Sequence, residues 1–519
     1  MNEYTSGSQE SPSICYLSND IIVIAWQGEG ASDNFGIYAS IINASTGENL
    51  TAVFRINNHT TGDQKYPSIC ALSNETFVIA WEGQGASDTL GIYASVFNAT
   101  TGTNMTSEFR VNSYASGPQN FPSICALSDE TFVIAWQGEG ASDTLGIFAS
   151  VFNATTGTNM TSEFRVNNYT GGMQYEPSIC ALTNESFIIS WWGEGVGDDS
   201  GSYASVFNAT TGTNMTSEFR VNNYIGGWQY GPSICALSND TCAITWHGSG
   251  VDDSQGIFAS VFNTTTGTNM TSEFRVNSQI SGNQYIPSIC ALSNETFLIA
   301  WYGAGASDDV GIYASVFNAT TRTNITSEFR VNKFTSGEQF LPSISALSNE
   351  TFTIVWQGKE AGVDFDIFFS VFSRGTGDPS PENGDNNSPP IDFGLYLFIF
   401  IIIILGLAIT FMVGSIYSYK KTKYKSTLNQ PPIHKKVIKK KEMQPMEGYT
   451  EAEKKEIERT ESEVNVEKKK LTCVVHRGSI EGAIYTCPEC NTFYCLNCAK
   501  VLKEKGENCW VCNHVISIQ

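Results

Sequence analysis

The residues with the clearest chemical meaning in this 519-residue chain lie near its C-terminal end. Four pairs of cysteine or histidine residues occur there, and two other residues separate the members of each pair. The pairs are Cys473 with His476, Cys487 with Cys490, Cys495 with Cys498, and Cys509 with Cys512. Zn²⁺ takes four nitrogen or sulfur ligands in a tetrahedron, and a gap of two residues lets one turn supply two of them. Eight such ligands predict two structural zinc ions, with no open coordination position for catalysis. A disulfide framework is the alternative, and the histidine argues against it.

The order of these pairs resembles the B-box and the wider RING-like cross-brace fingers, over residues 473–512. The resemblance implies interleaved zinc sites. One zinc would bind Cys473, His476, Cys495 and Cys498, and the other would bind Cys487, Cys490, Cys509 and Cys512. B-boxes usually end in histidines where this chain has cysteines. Such a finger implies a cytosolic protein partner, or a conjugating enzyme if the chain acts as a ubiquitin ligase.

The elements that carry the remaining candidate residues form a repeat of 55 residues. The motif Pro-Ser-Ile-Cys, or Pro-Ser-Ile-Ser in the last copy, starts at Pro12, Pro67, Pro122, Pro177, Pro232, Pro287 and Pro342. In the second copy, turn residues separate four predicted strands, at 68–72, 76–81, 91–97 and 108–112. Seven four-stranded sheets predict an all-β, seven-bladed propeller, and an elongated β-array is the alternative. The repeat over residues 12–373 resembles repeats of large bacterial surface proteins.

The fourth predicted strand, Phe-Arg-Val-Asn or Phe-Arg-Ile-Asn, occurs six times rather than seven. The copies start at Phe54, Phe109, Phe164, Phe219, Phe274 and Phe329. Residues 1–6 lack the basic start and apolar core of a signal peptide, and residues 2–9 match the segment that follows this strand elsewhere. We therefore expect the natural start to lie upstream, with a seventh copy that closes the ring and a signal peptide.

Two residue types recur once in nearly every repeat. A tryptophan ends each second strand, and a cysteine lies in six of the first strands. These residues are Trp26, Trp81, Trp136, Trp191, Trp246, Trp301 and Trp356, and Cys15, Cys70, Cys125, Cys180, Cys235 and Cys290. We interpret the tryptophans as packing between blades, with a ligand-binding aromatic ring as the alternative. The cysteines are expected to be small buried apolar residues, and a disulfide between Cys235 and the additional Cys242 is the alternative.

Aspartates recur in the Gly-rich loop that follows the second strand. They are Asp33, Asp88, Asp143, Asp198, Asp199, Asp252, Asp253, Asp308 and Asp309. Acidic loops of this kind can hold Ca²⁺ through oxygen ligands. Turn formation is the alternative and the favoured interpretation.

Positions that differ among the copies are the candidates for recognition, because a scaffold position must match in every copy. Residues after the recurring tryptophan are Gln27, Glu82, Gln137, Trp192, His247, Tyr302 and Gln357, and residues before the proline include Lys65-Tyr66, Tyr175-Glu176 and Tyr230-Gly231. Trp192, His247, Tyr302, Tyr175 and Tyr230 are the predicted ligand-binding residues, for a sugar or a peptide. Neutral drift on exposed loops is the alternative. No recurring catalytic set is evident, although a hydrolase with acids from separate blades stays open.

A membrane span is predicted at residues 393–417. Residues 394–416 carry no charge, which gives enough apolar length for a transmembrane helix. Nine lysines follow between 420 and 441, whereas residues 378–392 contain no Lys or Arg. The positive-inside rule therefore places the repeats outside the cell and the C-terminus in the cytosol.

Charge and glycosylation motifs agree with that orientation. Residues 1–390 hold 38 acidic and 11 basic side chains, which argues against nucleic acid as a partner. Sequons for N-glycosylation are dense in the repeats. They include Asn43, Asn74, Asn98, Asn104, Asn153, Asn159, Asn208, Asn214, Asn263, Asn269, Asn294 and Asn318.

The predicted organisation has five parts. They are an extracellular propeller at 1–373, a polar stalk at 374–392, a transmembrane helix at 393–417, a basic juxtamembrane segment with a charged helix or linker at 418–470, and a zinc module at 471–519. This order predicts a single-pass receptor or adhesion protein of the cell membrane that binds a glycan or protein outside. A membrane-anchored ubiquitin ligase and an extracellular glycan hydrolase are the alternatives.

Overall fold

The computed structural model describes residues 7–30, 33–85, 88–140, 143–305, 308–335, 337–359, 364–374, 484–486 and 493–495. Two compact units, residues 1–391 and residues 392–519, make up the chain. The described part of the first unit forms seven antiparallel sheets, one for each sequence repeat. The predicted seven-bladed β-propeller with four-stranded blades is confirmed.

The first four blades each contain four strands in sequence order. Blade 1 contains β1 (Gln9–Ser18), β2 (Ile21–Gly30), β3 (Asp33–Asn43) and β4 (Phe54–Arg55). Blade 2 contains β5 (Gln64–Ala71), β6 (Thr76–Gly85), β7 (Asp88–Asn98) and β8 (Phe109–Arg110). Blade 3 contains β9 (Gln119–Ser128), β10 (Thr131–Gly140), β11 (Asp143–Asn153) and β12 (Phe164–Arg165). Blade 4 contains β13 (Gln174–Thr183), β14 (Ser186–Gly195), β15 (Asp198–Asn208) and β16 (Phe219–Arg220).

The last three blades vary around this plan. Blade 5 contains β17 (Gln229–Ser238), β18 (Thr241–Gly250), β19 (Asp253–Asn263), the short additional β20 (Thr268–Asn269) and β21 (Phe274–Arg275). Blade 6 contains β22 (Gln284–Ser293), β23 (Thr296–Gly305), β24 (Asp308–Asn318) and β25 (Phe329–Arg330). Blade 7 contains, within the described residues, β26 (Gln339–Ala346), β27 (Thr351–Gly358) and β28 (Asp366–Ser373). In the second unit, β29 (Ile484–Thr486) and β30 (Phe493–Cys495) form an antiparallel pair.

The middle strands of each blade hold the core. Residues Phe77–Trp81 of β6 are completely buried, because neighbouring blades cover both faces of the sheet. Strands buried on both faces contain continuous β-branched and aromatic runs, as this one does. The apolar clusters lie between blades: one joins Val78 and Ile92 of blade 2 to Ile134 and Trp136 of blade 3. Each blade is therefore stable only between its neighbours.

The first strands of successive blades pack beside one another and form the inner wall of the ring. Serine hydroxyl groups join them: Ser13 Oγ accepts a hydrogen bond from Ile69 N at 3.3 Å, and Ser68 Oγ accepts from Ile124 N at 3.2 Å. The same contact recurs in three further blades.

Blade 1 packs directly against blade 7 and closes the ring. Gln9 N donates to Phe365 O at 2.8 Å, and Ile14, Ile24 and Trp26 share an apolar cluster with Val355. The closed ring rules out the elongated array. Among the described residues, blades 1 and 7 pack through these contacts, and a seventh copy of the fourth strand at this junction stays a prediction. An upstream start stays a prediction.

Several predicted elements lie outside the described residues. They are the transmembrane span at 393–417, the linker at 418–470, the stalk beyond Arg374, and the zinc ligands other than Cys495, of which only the backbone in β30 is described. No helix in the described part of the chain is both long and apolar enough to span a bilayer.

Candidate functional site

A central cavity of about 500 Å³ lies on the propeller axis. All seven blades line it near the beginning of their first strands. Six blades contribute a variable residue followed by the constant Pro-Ser, and blade 4 contributes Glu176 and Pro177. The variable members are Ser11, Tyr66, Phe121, Glu176, Gly231, Ile286 and Leu341. We call the end of the propeller at which these seven variable residues stand the channel mouth. A constant framework thus presents a different side chain from each blade to one cavity.

All seven variable residues adopt a left-handed backbone conformation. Their φ angles lie between 42° at Ile286 and 53° at Gly231, and six of the seven are not glycine. This conformation is costly for residues with a Cβ, above all for a β-branched one, and persists only where neighbours enforce it. It interrupts the pairing of first and second strands as a β-bulge.

A side chain of the preceding blade accepts a hydrogen bond from the backbone of most of these residues. Gln27 Oε1 accepts from Tyr66 N at 2.8 Å, and Gln357 Oε1 accepts from Ser11 N at 2.7 Å across the ring closure. Glu82 Oε2, Gln137 Oε1 and His247 Nδ1 accept in the same way from Phe121 N, Glu176 N and Ile286 N, at 3.0, 2.9 and 3.4 Å. The residue after the conserved tryptophan therefore joins adjacent blades in five of seven positions. Variation among the repeats predicts recognition at this position, and the structure adds a structural role that the variation does not indicate.

The channel mouth is divided into a polar and an aromatic part. The residue two before each proline stands opposite the residue after the tryptophan of the same blade. These pairs are Glu10 with Gln27, Lys65 with Glu82, Asn120 with Gln137, Tyr175 with Trp192, Tyr230 with His247, Tyr285 with Tyr302, and Phe340 with Gln357. Blades 1 to 3 contribute polar pairs, whereas blades 4 to 6 contribute aromatic ones.

The aromatic side chains form a continuous arc over blades 4 to 7. We call it the aromatic arc: Tyr175, Trp192, Tyr230, His247, Tyr285, Tyr302 and Phe340. Successive ring centroids are 4.4, 4.3, 5.7, 5.7, 5.5 and 5.1 Å apart, and all seven side chains are half-buried. Trp228 extends the arc outward, with 57% of its surface exposed and its ring 5.8 Å from Tyr230.

The structure brings together all five predicted ligand-binding residues, since each is a member of the arc. It adds Tyr285 and Phe340, which sequence reasoning missed. The sequence could have indicated both residues, because they occupy the same position before the proline as Tyr175 and Tyr230. The contacts establish the arrangement, and binding by these residues stays a prediction.

Two half-buried glutamates lie at the channel mouth. Burial raises the pKa of Glu82 to about 6, although the Phe121 N–H and the Lys65 ammonium oppose the shift. Burial also raises the pKa of Glu176, against the Trp192 Nε1–H, which donates to Glu176 Oε2 at 3.0 Å. The Tyr66 phenol has a raised pKa because of burial first and the Glu82 charge second. These carboxyl groups are acceptors in a poorly solvated place.

His247 is the histidine of the aromatic arc. Burial lowers its pKa to about 4, although a hydrogen bond with the backbone of Tyr230 opposes the shift. The imidazole is therefore neutral at pH 7 and can accept from Ile286 N.

The packing interpretation of the recurring tryptophans is confirmed. All seven side chains are at most 5% exposed. Trp81 Nε1 donates to Gln64 Oε1 at 3.1 Å, and Gln64 Nε2 donates to Gln84 O, so the indole is satisfied within its own blade. Five other blades repeat the tryptophan–glutamine bond.

The recurring cysteines are buried or half-buried and free, as is Cys242, so the Cys235–Cys242 disulfide does not form. Burial raises the pKa of these thiols, which marks them as inert packing residues.

One aspartate of the loop in each of blades 1 to 6 has protein partners in the structure. Asp88 Oδ1 accepts from Leu90 N at 3.2 Å, and Asp88 Oδ2 accepts from Asn112 Nδ2 at 2.9 Å. Equivalent bonds occur at Asp33, Asp143, Asp198, Asp253 and Asp308. This geometry supports turn formation. Within the described ranges no group of three or more His, Cys, Asp or Glu could hold a metal ion; calcium in these loops stays a prediction.

No protein-family model matches the sequence, and no curated protein matches it. Similar solved structures include a Dyadobacter fermentans protein of unknown function, with 13% identity, 72% of this chain and 96% of that chain covered, and a TM-score of 0.42. The β-propeller domain of the Trilobed protease from Pyrococcus furiosus has 9% identity, coverages of 74% and 99%, and a TM-score of 0.41. An α-L-arabinofuranosidase from Fusarium graminearum has 11% identity, coverages of 59% and 92%, and a TM-score of 0.42. At these TM-scores, no likeness bears on what this chain binds.

Proposed function

We propose that this chain is a single-pass membrane surface protein whose extracellular propeller binds a glycan at the channel mouth. A cytosolic two-zinc finger then docks a protein partner. The observation that carries the ligand-binding part is the division of one sevenfold framework into polar pairs in blades 1 to 3 and the aromatic arc in blades 4 to 7.

A sugar ring fits such a division, because it has apolar C–H faces and hydroxyl groups around its edge. Half-buried aromatic rings offer flat apolar surface at low entropic cost, and few polar groups are enough to fix orientation. Trp228 and the ring of Tyr285 extend this surface beyond a single sugar unit. An oligosaccharide therefore suits the arc better than a monosaccharide.

Charge at the channel mouth further narrows the ligand class. Among the seven cross-strand pairs, Lys65 is the single cation, and Asp63 already contacts it at 2.7 Å. Glu10, Glu82 and Glu176 supply negative charge. An acidic sugar would meet repulsion here, so the proposed ligand is a neutral or amino-bearing glycan.

A glycan-binding screen with the full chain in detergent tests this proposal. We expect neutral oligosaccharides to bind and sialylated or sulfated ones to be rejected. Trp192→Ala should weaken binding at least tenfold, about 1.4 kcal/mol. Phe334→Ala is the matched control, because Phe334 is an exposed aromatic residue outside the arc. Binding that is unchanged by Trp192→Ala, or confined to acidic glycans, would refute the site.

A glycan hydrolase is the second candidate, and the raised pKa values of Glu82 and Glu176 favour it. Glu176 lines the cavity, and Glu82 of another blade accepts a hydrogen bond from the backbone of Phe121, which also lines it. Two carboxyl groups from separate blades can serve as acid and base. Turnover of a panel of neutral glycans by the full chain, lost in Glu82→Gln and Glu176→Gln, would establish this activity. Binding without turnover would contradict the hydrolase and support the receptor.

The membrane and zinc parts are supported by sequence: the uncharged run at 394–416, the lysines behind it and the eight paired ligands. We expect two zinc ions per chain, falling to one in a Cys487→Ser, Cys490→Ser double variant. The finger's partner would be identified by crosslinking in membranes. Ubiquitin transfer by the full chain in vitro would favour the ligase alternative.

A further inference from the structure

The end of each blade opposite the channel mouth carries a cluster of glycosylation motifs. The turn between first and second strands lies at this end, and so does the beginning of the loop after the third strand. In blade 2 the two are joined, since Ala99 N donates to Glu75 O at 2.7 Å. The same bond joins Ala44 N to Asp20 O in blade 1. Motifs in both segments therefore stand side by side.

The turn asparagines are the most accessible of these motifs. Each belongs to an Asn-Glu/Asp-Ser/Thr sequon and has an exposed side chain with no hydrogen bond to any residue that the structure describes. They are Asn74, Asn184, Asn239, Asn294 and Asn349. The corresponding turns of blades 1 and 3 lack the motif, because Asn19 is followed by Asp20-Ile21 and position 129 is aspartate.

The loop after the third strand carries two further sequons in each of blades 1 to 6. At the first, Asn98 Oδ1 accepts from Thr100 N and Thr101 N, both at 3.0 Å, which fixes the turn through the oxygen and leaves Nδ2 for a glycan. At the second, Asn104 Nδ2 itself donates to Ser95 Oγ at 3.0 Å. The second motif is therefore the less suitable acceptor.

A second observation points to a covering group at this end. The middle residue of the second loop sequon is apolar and strongly exposed in six blades. These residues are Leu50, Met105, Met160, Met215, Met270 and Ile325, with exposed fractions between 41% and 57%. A repeated ring of bare apolar side chains on an acidic protein calls for a cover. Met105 N donates to Val96 O, and Asn98 N donates to Thr103 O, so a saccharide on Asn98 lies next to Met105.

We infer that the end of the propeller opposite the channel mouth is covered by N-linked glycans, on the turn asparagines and on the first loop asparagines. In the transfer, the amide Nδ2 bonds to the anomeric carbon of an oligosaccharide and loses one proton. The bond from that carbon to the diphosphate of a lipid-linked donor breaks, and the lipid diphosphate leaves. The inference depends on the proposed extracellular location and is independent of the glycan-binding proposal.

The repeats allow occupancy to be measured several times in one chain. The full chain is isolated from its own cells, denatured and treated with an amidase in H₂¹⁸O, which converts each glycosylated asparagine to labelled aspartate. Trypsin then cuts after Arg110, Arg165, Arg220 and Arg275, which separates the middle repeats into single peptides. We expect label at the turn asparagines and at the Asn98-type positions, with less at the Asn104-type positions.

Two sequons outside this end separate the modes of failure. Asn58-His-Thr and Asn168-Tyr-Thr follow fourth strands, on the connections that lead to the next blade, and both asparagines are exposed. Label at Asn58 or Asn168 with none at the turn and loop asparagines overturns the inference while the extracellular location stands. No label anywhere overturns both, and leaves the apolar ring to a protein partner.

A variant pair checks the assignment at one site. Asn74→Gln should lower the apparent mass of the chain by the mass of one glycan. Glu75→Gln keeps the sequon and should leave the apparent mass unchanged. Equal mobility of the two variants contradicts glycosylation at Asn74.

Discussion

The Phe369 ring of blade 7 reaches Gly47 of blade 1: its Cζ lies 3.8 Å from the place where a β-carbon on Gly47 would stand. In the next junction the ring of Phe54, from a fourth strand, covers the equivalent Gly102. Phe109, Phe164 and Phe219 do the same for Gly157, Gly212 and Gly267. Phe369 belongs to a third strand, at a position that is alanine in the other six blades. Blade 7 thus fills the junction with a residue of its third strand.

Removal of the Phe369 side chain should weaken the contact between blades 7 and 1, which closes the propeller. Phe369→Ala leaves a void between blades 7 and 1, and half-buried aromatic truncations of this kind cost about 2 to 3 kcal/mol in the free energy of unfolding. Urea denaturation of the full chain, followed by tryptophan fluorescence, measures the loss. Phe334→Ala, an exposed truncation, should have little effect. An equally small effect for Phe369→Ala would show that the junction does not depend on this ring.

The period of the sequence was enough to predict the blade and its order of strands, because one strand after another repeats the same apolar pattern. It misplaced the ends. The first strand of blade 2 begins at Gln64 rather than at 68, because the left-handed Tyr66 lets the strand continue through a bulge before the proline. The Gly-rich loop predicted after the second strand is shorter than expected in blade 2, where the second strand continues to Gly85 and the third begins at Asp88. Gly85 packs beneath the Tyr93 ring, where a side chain would not fit.

Only part of the candidate site could be predicted from the sequence. Variation among copies identified five residues that the structure places in one aromatic arc. It could not show that Gln27 or Glu82 joins two blades, because the acceptor and its donor lie 39 residues apart in different sheets. That contact depends on the register between blades, which no single repeat contains.

The hydrogen bond from Tyr66 N to Gln27 Oε1, which joins blades 1 and 2, should make a measurable contribution to the free energy of unfolding. Gln27→Ala leaves the Tyr66 N–H without its acceptor, and an unpaired, partly buried donor costs about 1 to 2 kcal/mol. Gln27→His can keep an acceptor, as His247 does in blade 5, without placing a carboxylate opposite Glu10, and should retain more stability than the alanine variant. Thermal unfolding of both variants at pH 7 provides the comparison. If the two lose the same amount, the hydrogen bond is not the source of the effect.

Glu82 should make the propeller less stable as pH rises. Its pKa is about 6 in the folded chain against an ordinary value of 4.5, so between these values the folded state holds a proton that the unfolded state has lost. Stability is then greatest below pH 4.5 and falls by about 2 kcal/mol as pH rises through 6. Glu82→Gln should remove this slope and stabilise the chain at pH 7, because the amide oxygen can still accept from Phe121 N. Glu75→Gln is the exposed control. The same slope in Glu82→Gln would assign it to another group.

His247 should produce the opposite dependence. Its pKa is about 4 in the folded chain against an ordinary value of 6.5, so in this window the unfolded state binds the extra proton. The contribution of His247 to the free energy of unfolding is therefore fully present above pH 6.5, and about 3 kcal/mol is lost as pH drops through 4. His247→Gln should lose the slope yet keep an acceptor for Ile286 N, as Gln27 does for Tyr66. His247→Ala should lose both, and be less stable than His247→Gln at every pH. Because the Glu82 and His247 windows overlap with opposite signs, the single variants must be measured separately between pH 4 and 7. A slope that survives in both His247 variants would show that this imidazole is solvated in the folded chain.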